Sequence, residues 1–170
     1  STPRAAIRSG VAYLPADRLR EGILPLMSVL RNAEATDEAM HASDGSTRRG
    51  KALAAIKRLS VRTSSILNRI TSLSGGNQQK TLIARWLVMD PKVLMLDDPT
   101  RGVDIGAKSE IYHILRGIAD SGAAVVFTSS DSLELARLSD RILLFRGGKI
   151  VDEIVRDVTH AELDRAISAA

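Results

Sequence analysis

Cysteine is absent from the sequence, which excludes disulfide bonds and cysteine-ligated zinc and accords with a reducing compartment. Aromatic residues are scarce, at 3% of 170 positions, so the stacking platforms that hold single-stranded nucleic acid are lacking in number. Long apolar runs are missing too. The longest, such as Ala123 to Phe127, are far too short to cross a bilayer, and the N-terminal stretch has no apolar signal region. Any membrane role must therefore pass through a partner. His41, His113 and His160 have no metal-ligand spacing, and neither internal repeats nor low-complexity tracts occur.

What is present suffices for one buried core and a small appended subdomain: 44% of residues are apolar and 26% charged. Lys and Arg total 24 against 20 Asp and Glu, a formal charge of +4. Without a long basic run this suits an anionic ligand only weakly, and no nucleic acid partner is expected.

Along the chain, "GVAYLP" (10 to 15) reads as a buried strand closed by Pro15, followed by the charged loop "ADRLREG". Residues 34 to 50 turn polar and small, which predicts a surface connection or flexible boundary. "KALAAIKRLSV" then places Leu53, Ile56 and Leu59 at helical spacing. From Ser74 a second helix carries Leu82, Ile83, Trp86 and Leu87 on one face and stops at Asp90-Pro91. "KVLMLDD" is a continuous apolar run, the pattern of a strand buried on both faces of a parallel sheet. A helix from about 107 to 119, a strand over 123 to 130, a short helix near 133 to 138 and a strand over 141 to 145 continue the alternation, which argues an α/β fold with a mostly parallel sheet. Gly147-Gly148 signals a hairpin, and Thr159 with Glu162 a capping box opening a last helix to about 167.

Open α/β sheets place ligands beyond the carboxyl ends of their strands, where Asp97 and Asp98 stand. Two adjacent buried carboxylates repel unless a cation or donors neutralise them. A Mg²⁺ held by one carboxylate and nucleotide phosphates is a common arrangement; alternatively one aspartate caps the next turn. "TSLSGGNQQK" (71 to 80) sets a hydroxyl and unpaired backbone N–H groups at a helix mouth, where the dipole favours an anion, although Ser-Gly-Gly also serves as an ordinary cap. Trp86 reads as a core filler, and Arg48, Arg49 and Lys51 as a solvated loop and helix start.

Taken together, "LSGGNQQK" (73 to 80), "VLMLDDPTRGVD" (93 to 104), "GVAYLPADRLREG" (10 to 22) and "VVFTSSDSLELARLSDRILLFRGGKIV" (125 to 151) resemble, in order, the signature, the Walker B strand with D-loop, the Q-loop region and the switch region of ABC transporter ATPases. The likeness is strongest to the second, C-terminal cassette of bacterial monosaccharide importers of the ribose, galactose and xylose type. It implies a P-loop NTPase fold of the ABC ATPase kind, with a helical signature subdomain over about 28–90 and an α/β core from 10–15 and 91–170. It further implies ATP and Mg²⁺ as cofactors, a second cassette in a head-to-tail dimer, transmembrane permease subunits, and indirectly a periplasmic sugar-binding protein. The place implied is the cytoplasmic side of the bacterial inner membrane. On this resemblance Ser74, Gly75, Gly76 and Gln78 reach the γ-phosphate of ATP on the other cassette, and Asp97 holds Mg²⁺. Asp98 takes the place of the glutamate that polarises the attacking water, Asp104 touches the partner's phosphate loop, and Ser130 stands at the switch position.

Four departures qualify that expectation. No G-x-x-x-x-G-K-[ST] phosphate loop occurs, so the first part of the fold is expected to be missing. In the family's sheet the strand leading into that loop lies between the strands at 125–128 and 142–145. Those two are then expected either to close up and pair or to take an edge from another chain. Asp98 is one methylene shorter than glutamate, Ala16 stands where a glutamine or glutamate senses Mg²⁺ and the permease, and Ser130 replaces a switch histidine. These changes predict weak or absent hydrolysis at this cassette's own site, leaving open a cassette that only donates its signature.

Overall fold

A computed structural model describes residues 2–155 and 158–169. They form two compact units, the first reaching Thr128 and the second beginning at Ser129. Within the first unit the helices of 28–90 share a single apolar cluster with the first three strands.

In the first unit, helix α1 (Pro3–Arg8) precedes strand β1 (Val11–Leu14). A π-helical turn (Arg18–Gly22) leads to α2 (Val29–Met40), α3 (Gly45–Arg58) and α4 (Gly75–Leu87). Strand β2 (Val93–Asp97), helix α5 (Ile105–Asp120) and strand β3 (Ala124–Thr128) complete it. The three strands form one parallel sheet in the order β1-β2-β3, with Leu14 opposite Leu96 and Leu96 opposite Phe127.

The polar stretch at 34–50 is not a loop. Residues 34–40 complete α2 and residues 45–50 open α3, leaving only 41–44 as the link. His41 ends α2 in the left-handed region at φ 50°, and Asp44 caps α3 by accepting from the amides of Ser46 (2.9 Å) and Thr47 (3.0 Å). The buried stripe of α3 is Ala52, Ala55 and Ile56, with Leu53 outside it.

Strand β2 is likewise covered on one face only. Ala12, Leu14, Leu94 and Leu96 share the core with Leu82, Ile83, Ile111, Leu115 and Ile118. On the other face Tyr13, Met95 and Val126 stand in register and are 50%, 42% and 52% exposed.

The second unit holds α6 (Ser132–Leu138), the antiparallel pair β4 (Arg141–Arg146) and β5 (Lys149–Val155), and α7 (His160–Ala169). Its hairpin turns at Gly147 and Gly148, both at positive φ, and the Thr159–Glu162 capping box forms in both directions. Among the described residues β3 pairs with β2, and β4 with β5.

Candidate functional site

Ser74 precedes α4 in extended conformation, yet its side chain caps none of the helix amides. Its Oγ instead accepts from Asn77 Nδ2 at 2.9 Å, and Asn77 Oδ1 accepts from the Arg62 amide at 2.7 Å. Asn77 thus ties the start of α4 to the segment after α3. The first-turn N–H groups, which no helix carbonyl can satisfy, are left uncapped by Ser74.

The two glycines that follow are closely approached, and the second has no room for a side chain. A Cβ on Gly75 would lie 2.6 Å from Arg18 Nη2 and 3.0 Å from the Gly102 carbonyl oxygen, and one on Gly76 would meet the Ala107 Cβ at 2.5 Å. The signature turn therefore rests directly on the loop after β2 and on the first turn of α5.

Gln78, expected to face the nucleotide, is turned inward and is 7% exposed. Its Nε2 donates to the Leu73 carbonyl at 3.1 Å, and its Oε1 accepts from Arg18 Nε at 3.4 Å. Helix α4 is buried continuously from Gln78 to Ala84, so a glutamine there is held by its own chain. Asp104 is exposed and caps α5, accepting from the Ala107 amide at 2.9 Å.

At the carboxyl end of β2, Asp97 and Asp98 are both half-buried. Thr128 Oγ donates to Asp97 Oδ1 at 2.5 Å, and the Asp98 amide donates to the Thr128 carbonyl at 3.1 Å. Asp98 itself sits at φ 47°, in the left-handed region that few non-glycine residues occupy. Ala16 is half-buried and brings no polar group. Ser130 lies in the second unit, exposed, in the bend ahead of α6.

Among the described residues no cluster of three or more His, Asp or Glu is arranged to hold a metal. The adjacent carboxylates of Asp97 and Asp98 fit a different kind of site, in which one or two carboxylates hold Mg²⁺ and phosphate oxygens and water complete its shell.

Four residues important to this region escaped the sequence reading. Arg18 reaches the D-loop backbone, donating from Nη1 to the Arg101 carbonyl (2.6 Å) and from Nη2 to the Gly102 carbonyl (3.0 Å); burial lowers its pKa, against the raising effect of Asp17. Lys80, 1% exposed, donates to Glu110 Oε2 at 2.5 Å and to the Ser60 carbonyl at 3.1 Å. Arg85 donates to the Gly22 carbonyl (2.7 Å) and to the carbonyl and side chain of Asn32 (2.6 and 2.9 Å), and burial pulls its guanidinium down to about 10. For Arg18 the only signal was a charged loop directly after a strand; for Lys80, Arg85 and Asn32 no periodicity marked them.

The ABC transporter family profile matches residues 2–101. The chain is 47% identical over 161 residues to the arabinose import ATP-binding protein AraG of Pseudomonas syringae pv. tomato, covering 92% of this chain and 32% of that protein. It is 43% identical to the xylose import ATP-binding protein XylG of Thermoanaerobacter pseudethanolicus, over 90% of this chain and 31% of the relative. With the ribose import ATP-binding protein RbsA 2 of Mesorhizobium japonicum it shares 39% identity, over 96% and 33%. The chain thus spans about a third of the length of these relatives. Among solved structures, a bacterial ABC transporter cassette determined as a dimer superposes with a TM-score of 0.71 at 25% identity, over 91% of this chain and 67% of the other. An ATP-binding cassette of an ABC transporter reaches 0.79 at 18% identity, over 99% and 68%, a likeness of fold. Since the profile covers more than half of the residues and the sheet and helices superpose on such cassettes, the chain belongs to the ABC transporter family and has its ATPase fold.

Proposed function

We propose that this chain works within the ATP-binding and ATP-hydrolysing subunit of a bacterial sugar importer. On this reading the subunit lies at the cytoplasmic side of the inner membrane and couples ATP hydrolysis to uptake through transmembrane permease subunits, with a periplasmic sugar-binding protein delivering the sugar. The observation that carries the reading is the seating of Gly75 and Gly76 against Gly102 and Ala107, which brings signature turn and D-loop together along one edge. Such an edge suits a phosphate held on the face of a second, head-to-tail cassette. The import functions printed for the relatives agree with it.

In this reading Ser74, Gly75 and Gly76 offer hydroxyl and backbone N–H groups to the γ-phosphate of ATP bound on the facing cassette, while Gln78 supports them from behind. Asp104 reaches the partner's phosphate loop with the carboxylate oxygen not used in capping α5. Asp97 would hold Mg²⁺, which neutralises phosphate charge when bound. Asp98 orients and polarises water, and Ser130 stands at the switch position.

A second reading, a cassette that donates its signature without hydrolysing, is favoured by Asp98. Its short side chain on a left-handed backbone withdraws the carboxylate by roughly 1 Å relative to glutamate, and misplacement on that scale costs about 100-fold in rate. Turnover of the reconstituted transporter, with the other cassette left active, separates the two. Asp98→Glu is expected to raise turnover about tenfold and Ser74→Arg to abolish it. A flat response to Asp98→Glu with loss in Ser74→Arg selects the donor reading; full activity in Ser74→Arg overturns both.

A further inference from the structure

Arg18 opens the π-helical turn after β1 and reaches the two loops to which the proposed function assigns the shared nucleotide face. Its guanidinium gives one terminal nitrogen to the Arg101 carbonyl and the other to the Gly102 carbonyl, at 2.6 and 3.0 Å, and its Nε faces Gln78 Oε1 at 3.4 Å. The nearest carboxylate does not compete for it: Asp17 accepts from the Arg20 amide at 3.1 Å and pairs with the Arg20 side chain at 3.8 Å. A planar fork of fixed geometry is therefore spent on the backbone of two successive D-loop residues, one of them Gly102 at φ 64°. The guanidinium also fills the space beside Gly75, where a Cβ would stand 2.6 Å from Nη2. Signature glycine, arginine and D-loop carbonyls are layered without a gap.

We infer that Arg18 is a positioning residue that locks the signature turn and the D-loop into one unit, so that neither loop moves without the other. It acts through Gln78 and the Arg101–Gly102 backbone. The inference deepens the proposed reading and takes from it only the purpose of the lock; the coupling itself is a property of this chain.

Hydrogen exchange on the purified protein tests it. The amides of Arg101 and Val103 are bonded within the D-loop, and those of Leu73 and Gln78 within the signature turn, so their exchange reports each loop. Arg18→Ala is expected to speed exchange at both sets at least tenfold while leaving Ile111 and Leu115 of α5 unchanged. Arg18→Lys should lie between, because an ammonium cannot fork across two carbonyls. Gly75→Ala, which displaces the guanidinium, should reproduce the Arg18→Ala pattern, and the double variant should add little to Arg18→Ala alone. Additive effects, or an unchanged D-loop in Arg18→Ala, would overturn the inference. If Arg18→Ala loosens the whole unit, the Arg18→Lys and Gly75→Ala comparison decides. In the ATP-hydrolysing transporter Arg18→Lys should lower kcat at least fivefold with KM for ATP held within twofold; a raised KM at full kcat contradicts a positioning role. Absence of turnover in the unaltered transporter would count against the proposed function, and the exchange cycle would still decide the role of Arg18.

Discussion

Lys80 carries a full charge on a side chain that is 1% exposed, inside the helix that follows the signature turn. Its partner Glu110 on α5 has a side chain 39% exposed and also pairs with Arg62 at 2.9 Å. The two ends of the pair are therefore unequal. Removing the carboxylate strands a buried ammonium on the Ser60 carbonyl, whereas removing the ammonium leaves a solvated carboxylate that keeps Arg62. Breaking a fully buried pair costs about 3–5 kcal/mol; water at Glu110 reduces that, and Glu110→Gln is expected to cost about 2 kcal/mol in urea unfolding, more than Lys80→Met. The hydrogen bond and charge of Lys80, with Arg62 behind them, hold the Glu110 carboxyl below its ordinary pKa. Its contribution is accordingly present above the unfolded value near 4.5 and is lost as pH falls through the lower folded value. The stability gap between the native protein and Glu110→Gln should close in that acid range. A gap independent of pH would show that the pair contributes nothing.

At the scale of elements, what was legible in the sequence is what local chemistry decides. The Gly147–Gly148 hairpin, the Thr159 capping box and the end of α4 before Pro91 each depend on residues adjacent in the chain, and each formed. The polar span at 34–50 misled because it lacks an apolar stripe: Glu34, Thr36 and Asp37 are buried at the end of α2, while residues 45–50 open α3 ahead of its first buried residue, Ala52. Asn32 anchors the loop that precedes α2: its Nδ2 donates to the carbonyls of Leu24 and Ser28, both at 3.0 Å, while its Oδ1 accepts from the Leu24 amide at 2.8 Å and from Arg85 at 2.9 Å. Helices α2 and α4 are thus joined through a polar knot that no hydrophobic periodicity reveals. Asn32→Ala strands several of these groups, each costing about 1–3 kcal/mol if water cannot replace the lost bond. A loss of about 3 kcal/mol by urea unfolding is expected, and a change below 0.5 kcal/mol would mean that the knot is dispensable. Gln78 illustrates the same limit within the site, since its burial follows from α4 being enclosed on every side between 78 and 84.

For the molecule as a whole, the sheet is apolar on both faces but covered on one. Tyr13, Met95 and Val126 form an exposed row across three registered strands, and among the described residues β3 is paired along one edge only. Open edges and apolar rows favour association. Light scattering on this chain is expected to show a mass rising above the monomer with concentration, and Val126→Lys should suppress the rise; a monomer across the micromolar range would sink this expectation. The same sheet also constrains how the first unit comes into being. Val11 must find Val93, with α2, α3 and α4 strung between them, and closing so long a loop is entropically costly before any contact repays it. Helices nucleate in about a microsecond and need no such closure. Collapse of the helical segment is therefore expected to come first and to carry these two strand ends toward each other, so that the pairing of β1 with β2 waits upon the subdomain bearing the signature, while β2 with β3 and β4 with β5 close over shorter spans.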